Sequence, residues 1–302
     1  MPADRSGRRH PAYLLYRSGQ ALTSRIPGPL LLPAAEAAGL AIGRLNGRRR
    51  AVVRRNMARV VGPARVERAV DLAFRSYARY WAETLRIPAP GLERIAERVT
   101  CEGVHHLAGH LDAGRGVLFV TPHVGSWDVA GLWLASQGWR TVAVAERLEP
   151  PELFDLFSTL RRQAGIEVHP LGESRSARAL LSGLASGAIA ALVADRDISG
   201  TGVEVEFFGE RTFLPSGPAV LARRTGAPLI VGGMFQRPRG RYHGVILEPI
   251  EVAKGKTDPD DTTRLTQLVA HRLEELIRRD PGQWHLFQPN WPSDPGYRGG
   301  RR

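Results

Sequence analysis

A single cysteine, Cys101, stands in 302 residues. No disulfide can form within the chain, and a reducing compartment is its natural setting. Lysine is nearly as scarce: Lys254 and Lys256 are the only two, so almost all of the positive charge is arginine. Long hydrophobic runs are missing as well. The most apolar stretch, residues 28–42, is broken by Pro33 and Glu36 and falls short of the ~20 residues that span a bilayer. It begins too late in the chain, and lacks the following cleavage site, to read as a signal peptide. There is no P-loop, no Gly-x-Gly-x-x-Gly after a strand and no Gly-x-Ser-x-Gly elbow. Kinase, dinucleotide enzyme and serine hydrolase lose ground on those absences. No internal repeat is visible.

What is present is a globular composition, 43% hydrophobic, with a formal charge of +12. Arginine stays charged and pairs bidentately with phosphate. Residues 1–60 hold twelve arginines against Asp4 and Glu36, so +10 of the charge lies there. Helices are expected over 11–24 and 29–45, followed by Arg48, Arg49, Arg50, Arg54 and Arg55. Apolar helices beside such a cluster point to peripheral docking on an anionic membrane; a plain solvated basic helix is the competing explanation. A nucleic-acid arm is disfavoured, because few aromatics are interleaved for base stacking. Residues 63–86 read as an amphipathic helix with Val66, Val70, Phe74, Tyr77 and Trp81 on one side. Residues 104–113 form a short helix. Cys101, His105, His106 and His110 do not make a metal site: His105 and His106 point to different helix faces, and the thiol has no partner at zinc-ligand spacing.

From Val117 the pattern alternates. Strands are expected at 117–121, 141–145, 166–170, 188–194, 203–208, 228–235 and 242–251. Helices are expected at 127–137, 151–164, 174–186, 216–226 and 261–279. This predicts an α/β fold: a mixed, largely parallel central sheet flanked by helices, behind an N-terminal helical membrane-docking region. The division is 1–90 for the basic helical region and 91–302 for the α/β core.

The stretch VLFVTPHVGSWD, residues 117–128, is the centre of the reading. A buried strand ends at Pro122, and His123 and Asp128 follow in the turn before a helix, the usual place for chemistry in such folds. A histidine there can take a proton, and a nearby aspartate can orient it. A surface histidine and a capping aspartate are the bland alternative. Glu146 and Arg147 follow the strand 141–145, and Asp195, Arg196 and Asp197 follow 188–194, so three strands deliver charge to one end. A loop ion pair would also explain the last group, and two carboxylates at that spacing are weak grounds for a metal. Ser216 and Gly217 open a helix whose N-terminus can receive an anion, or form a plain capped turn. Arg161, Arg162, Arg223 and Arg224 are candidates for phosphate contact, or solvated helix faces.

Together, TPHVGSWD (121–128), VAERLEPPELFDLF (144–157), ADRDISGTGVEVEFFGE (194–210), LPSGPAVLARRTGAP (214–228) and PGQWHLFQPNW (281–291) resemble the lysophospholipid acyltransferase superfamily. The branch is that of the bacterial lipid A acyltransferases, and within it the actinobacterial phosphatidylinositol mannoside acyltransferases. The His-x4-Asp pair is superfamily-wide; the Ala-Glu-Arg, Asp-Arg-Asp and Phe-Phe-Gly combination is more specific. Pro-Ser-Gly at 215–217 replaces the Pro-Glu-Gly type block of glycerol-phosphate acyltransferases.

The resemblance implies acyl transfer from acyl-CoA, as co-substrate and with no cofactor, to a hydroxyl of a membrane glycolipid. The hydroxyl would belong to a mannose of phosphatidylinositol mannoside. It further implies His123 as base, Asp128 orienting it, and a place on the cytoplasmic face of the plasma (inner) membrane. Glu146, Arg147, Arg161, Arg162, Asp195, Arg196, Asp197, Arg223 and Arg224 are the substrate-binding candidates. A lipid A-type or other glycolipid acyltransferase, an acyl-thioester hydrolase with the same dyad, and a basic membrane-binding protein without chemistry are the other readings.

Overall fold

A computed structural model describes residues 10–86, 92–147, 149–163, 165–252 and 259–299. Three helices open the chain: α1 (Pro11–Arg25), α2 (Gly28–Leu45) and α3 (Gly47–Val61). Pro27 and Pro29 bracket the start of α2, where a missing N–H costs nothing, and the Asn46 side chain caps α3 by accepting from the Arg49 amide at 3.0 Å. The arginine cluster thus lies on a helix of its own. Helix α4 (Val66–Thr84) follows, with the small Ala73 and the apolar Val70 and Phe74 buried on its inner side.

The core then alternates α5 (Leu92–Ala96), β1 (Val99–Glu102), α6 (His105–Leu111), β2 (Val117–Thr121), α7 (Trp127–Ser136), β3 (Thr141–Ala145), α8 (Pro151–Gln163), β4 (Ile166–Pro170), α9 (Ser174–Ala185) and β5 (Ile189–Val193). After the hairpin β6 (Val203–Phe207) and β7 (Glu210–Leu214) come α10 (Gly217–Thr225), β8 (Leu229–Arg237), β9 (Arg241–Ile246) and α11 (Pro259–Arg279). The seven-stranded sheet runs β1-β9-β8-β2-β5-β3-β4. All its neighbours are parallel except β8 and β9. The expected mixed, largely parallel sheet flanked by helices is the one observed.

Strand β2 lies inside the sheet, with Leu118 opposite both Ala190 of β5 and Leu229 of β8. Val117–Val120 are all buried, so the run is continuously apolar rather than alternating, as a strand covered on both faces requires. On one face Val70 and Phe74 join Leu118, Val120, Leu229 and Leu273 in a single cluster. On the other, Phe119 packs with Leu132, Ile166 and Ile189.

Two expected strands need correction, and two further strands were not expected. The run 203–208 is not part of the main sheet; it pairs only with β7, as a separate antiparallel hairpin. Strand β1 escaped notice because VTCE is short and half exposed, and β7 because ERTFL carries charge at its start. Strand 242–251 ends at Ile246, leaving Ile250 only a bridge to Leu229. Among the described residues no helix is long and apolar enough to cross a membrane.

Candidate active site

Sheet order explains why distant residues meet. Strands β2, β5 and β3 are neighbours and parallel, so the residues just past their carboxyl ends, His123, Asp195 and Glu146, share one end of the sheet. The chain turns sharply after His123. Gly125 sits at φ +53°, and a Cβ there would come within 2.1 Å of the Met234 carbonyl oxygen, so only glycine fits without displacing backbone. The Gly125 and Ser126 amides donate to the Gln283 and Met234 carbonyls, which stitches this turn to the C-terminal segment and to β8.

The ring of His123 pairs with Asp195, not with Asp128. Nδ1 lies 2.6 Å from Asp195 Oδ1, while the His123 amide and Trp284 Nε1 donate to Oδ2 at 3.0 and 2.8 Å. Asp195 is fully buried. Burial pushes its carboxyl pKa up, but the His123 imidazole, the indole N–H and the amide outweigh that and hold it at about 2. An ionised partner on Nδ1 fixes the proton there and leaves Nε2 as the basic nitrogen.

Asp128 has other partners. Tyr80 Oη and Thr84 Oγ1 donate to it at 2.8 and 3.1 Å, and Arg161 Nε donates at 2.7 Å. It is buried, which raises its pKa, yet Arg161 and the two hydroxyls bring it below the ordinary value. The same pairing drives the Arg161 guanidinium up against the opposing effect of burial. The expectation that Asp128 orients the imidazole is therefore corrected. At five positions' remove along the turn its side chain enters the first turn of α7 and faces α4 and α8. Asp128 ties those helices together beside the histidine.

Next to this pair a cavity of about 380 Å³ runs along the sheet. His123, Asp128, Arg161, Glu146, Arg196 and Asp197 stand among its walls. Its remaining lining is largely apolar: Tyr80, Trp81, Trp127 and Phe157 on one side, Phe119, Leu134 and Ile166 deeper. Thr141, at the start of β3, also lines it, so the cavity extends from one end of the sheet toward the other. Gly217 and Pro218 border it, which places the start of α10 beside the site.

The remaining candidates divide. Arg196 Nη2 donates to Glu146 Oε2 at 2.7 Å, an ion pair across the cavity mouth. Asp197 is occupied by its own loop, accepting from the Ser199, Gly200 and Gly202 amides. Arg147 turns away to Glu173. Arg162 faces a second hollow. Arg223 is buried and pairs with Asp261 at 2.6 Å, and Arg224 is exposed in the last turn of α10, the end away from the cavity. The fold does not gather the four arginines 161, 162, 223 and 224 at one place.

One residue of the cavity wall, beside His123, escaped the sequence reading. His285 is 5% exposed, its amide donates to the His123 carbonyl at 2.7 Å, and it lines the cavity. Its Nε2 meets Ser76 Oγ at 2.8 Å while Nδ1 has no partner. Ser76 Oγ donates to Gln236 Oε1, so its lone pairs accept from an Nε2–H, and Nδ1 carries the lone pair. Burial, with His123 nearby, pushes its pKa down to about 3, so this imidazole is neutral. Its only signal in the sequence was its place in PGQWHLFQPNW.

A buried-aspartate–histidine pair at the mouth of an apolar cavity is the equipment of a general-base transferase for apolar chains. The chain belongs to the bacterial lipid A biosynthesis acyltransferase family, whose model matches residues 2–293. It is an O-acyltransferase. Over 248 residues, 80% of this chain and 79% of the relative, it is 40% identical to the phosphatidylinositol mannoside acyltransferase of Mycolicibacterium smegmatis. It is 37% identical to the protein of the same name from Mycobacterium tuberculosis strain CDC 1551, over 80% of this chain and 77% of that one.

Proposed function

We propose that this protein moves a fatty acyl group from acyl-CoA to a mannose hydroxyl of a phosphatidylinositol mannoside, working from the cytoplasmic face of the inner membrane. The observation that carries the chemistry is the 2.6 Å contact between His123 Nδ1 and Asp195 beside the apolar cavity. A thioester is already activated, so no covalent enzyme intermediate is needed. His123 Nε2 takes the proton of the acceptor hydroxyl as its oxygen attacks the thioester carbonyl. Asp195 stabilises the imidazolium. The tetrahedral intermediate collapses, the carbon–sulfur bond breaks, and the thiolate recovers the proton from His123. The acyl chain lies in the cavity, where each buried methylene contributes ~0.8 kcal/mol. Arg196 and Glu146, at the mouth, contact the sugar acceptor. Asp128 acts through Arg161 and α4 as a positioning residue.

Membrane docking belongs to the same proposal. Leu14, Leu22, Leu30, Ile42 and Leu45 are exposed on α1 and α2, and Arg48 and Arg49 are exposed at the start of α3. Arg50 and Arg54 are engaged internally, with Asp71 and Glu67, so the outward charge is smaller than the count of arginines. Incubating the purified protein with acyl-CoA and a phosphatidylinositol mannoside, and reading products by mass spectrometry, tests the function. An acylated glycolipid formed by the wild type and lost in His123→Ala is expected. Free fatty acid as the main product, with acceptor unchanged, would replace this reading by thioester hydrolysis.

A further inference from the structure

On the far side of α8 from the catalytic cavity lies a second, more open hollow of about 540 Å³ between α8, β4 and the first turn of α9. Nothing in the reaction described above uses it. Its polar lining is Ser158, Thr159, Arg162, His169, Arg175 and one acid, Asp155. The residues of α8 recur at helical spacing, so a single face of the helix presents them. Arg161 and Arg162 are thereby divided: Arg161 enters the catalytic cavity and Arg162 the hollow, and Val168 of β4 lines both.

Two features set this hollow apart from an ordinary crease. Ser158 is 6% exposed, and its Oγ is buried without a hydrogen-bond partner. A buried hydroxyl in that condition costs about 1–3 kcal/mol unless something arrives to meet it. Arg162, one turn further along α8, is exposed and joins no ion pair among the described residues. Most other arginines in this neighbourhood are committed: Arg147 and Arg175 to Glu173, Arg140 to Glu167, Arg161 to Asp128. Arg175 and His169, also in the wall, are already paired with Glu173 and Glu167, so the unengaged guanidinium fork of Arg162 beside two hydroxyls is the group left to receive an anion, with Asp155 as the one acid in the lining. Hydroxyls and guanidinium are all donors here, and a phosphate supplies acceptor oxygens for each of them.

We infer that the α8–β4 hollow binds a phosphate group of a phosphorylated ligand, held by Arg162 and the hydroxyls of Ser158 and Thr159. Two sources carry that chemistry: the nucleotide end of a CoA thioester and the headgroup of an inositol phospholipid. Assigning the phosphate to either substrate rests on the acyltransferase reading, whereas the hollow's affinity for phosphate does not.

Isothermal titration of the full chain with adenosine 3′,5′-bisphosphate, glycerophosphoinositol and inorganic phosphate tests this. A charge-assisted contact of this kind is worth about 10–100-fold in affinity, so Arg162→Gln should weaken the bound probe by that factor. Arg211→Gln, an exposed arginine on the β6–β7 hairpin, should leave binding unchanged, and Ser158→Ala should weaken it less than Arg162→Gln. Preference for the bisphosphate assigns the donor, and Arg162→Gln should then raise KM for acyl-CoA while kcat holds. Preference for glycerophosphoinositol assigns the acceptor headgroup. No binding of any probe at millimolar concentration, or equal binding by wild type and a folded Arg162→Gln, overturns the site. A chain that leaves a phosphatidylinositol mannoside unacylated by acyl-CoA yet still binds a probe through Arg162 would defeat the proposed donor and acceptor and leave this site standing.

Discussion

Asp195 and His123 are 72 residues apart in the sequence, and their side chains meet at 2.6 Å. The aspartate inside the motif, Asp128, instead meets Arg161 at 2.7 Å. The two carboxylates therefore have separable duties, and their amides should fail differently. Asp195→Asn removes the charge that balances the imidazolium and can favour the wrong tautomer, as the same change does in serine protease triads. A fall in kcat of roughly 10²–10⁴-fold is expected, with donor KM little changed. Asp128→Asn removes the counter-charge of Arg161, whose side chain is still 20% exposed, so the cost should fall below the ~3–5 kcal/mol of a fully buried pair and its main effect should be a lower Tm. Measuring kcat and Tm on both variants decides the matter. Near-normal turnover in a folded Asp195→Asn protein would sink the proposed base assembly.

That exchange of partners marks the limit of what the sequence could reveal. Strands ending in His123, Glu146 and Asp195 were legible, because each is a short apolar run with charge at its end. Which of them meet depends on β5 lying between β2 and β3, and no local pattern records strand order. Helix α3 was missed for a related reason: the six arginines of GRRRAVVRRNMARVV mask its apolar positions, and its buried Val53 and Met57 are defined by neighbours elsewhere in the chain. His285 and Ser76, 209 residues apart, carry no spacing that joins them.

Acid should destabilise the protein before it touches the surface ion pairs. His285 is neutral when folded, with its pKa pushed from 6.5 to about 3. Unfolding exposes it, so between those values the unfolded chain binds the extra proton. Stability is complete above pH 6.5 and falls as pH drops toward 3, by at most about 1.4 kcal/mol per pH unit for one proton. Asp195 adds a loss of the same sign lower down, from its ordinary 3.8 toward 2. Urea melts from pH 7 to 4 should show a steeper decline for the wild type than for His285→Gln. Parallel profiles would show that His285 does not carry the acid sensitivity.

Docking on anionic membranes should depend on the apolar side chains at least as much as on charge, since Arg50 and Arg54 are already paired. Each basic residue free to reach an anionic surface is worth ~1 kcal/mol. The double variant Arg48→Ser, Arg49→Ser should weaken co-sedimentation with anionic vesicles, and Leu30→Ser with Ile42→Ser should weaken it further. High salt should reverse the arginine contribution and spare the apolar one. Unchanged sedimentation of all variants, or loss of all binding in high salt, would count against this division of docking between the apolar side chains of α1 and α2 and the arginines of α3.

Chain-length preference should be set at the deep end of the cavity, where Gly131 of α7 lies against Ile166. A Cβ built on Gly131 would fall 2.1 Å from Ile166 Cδ1, and both residues line the cavity. The obstacle is the tip of a flexible side chain rather than backbone, so a larger residue can be housed if Ile166 swings aside, at the expense of the cavity that both residues line. Gly131→Val should therefore shorten the room for an acyl chain without altering His123 or Asp195 at the other end. Burying each methylene is worth ~0.8 kcal/mol, a factor of about 4 in binding. Longer donors should lose kcat/KM by several such factors, while shorter ones keep theirs. Ile166→Ala should do the reverse and admit longer chains. The comparison uses a series of acyl-CoA donors on each purified variant. A uniform loss across the series would mean that the substitution harmed the fold or the chemistry, and would remove this end of the cavity as the seat of selection.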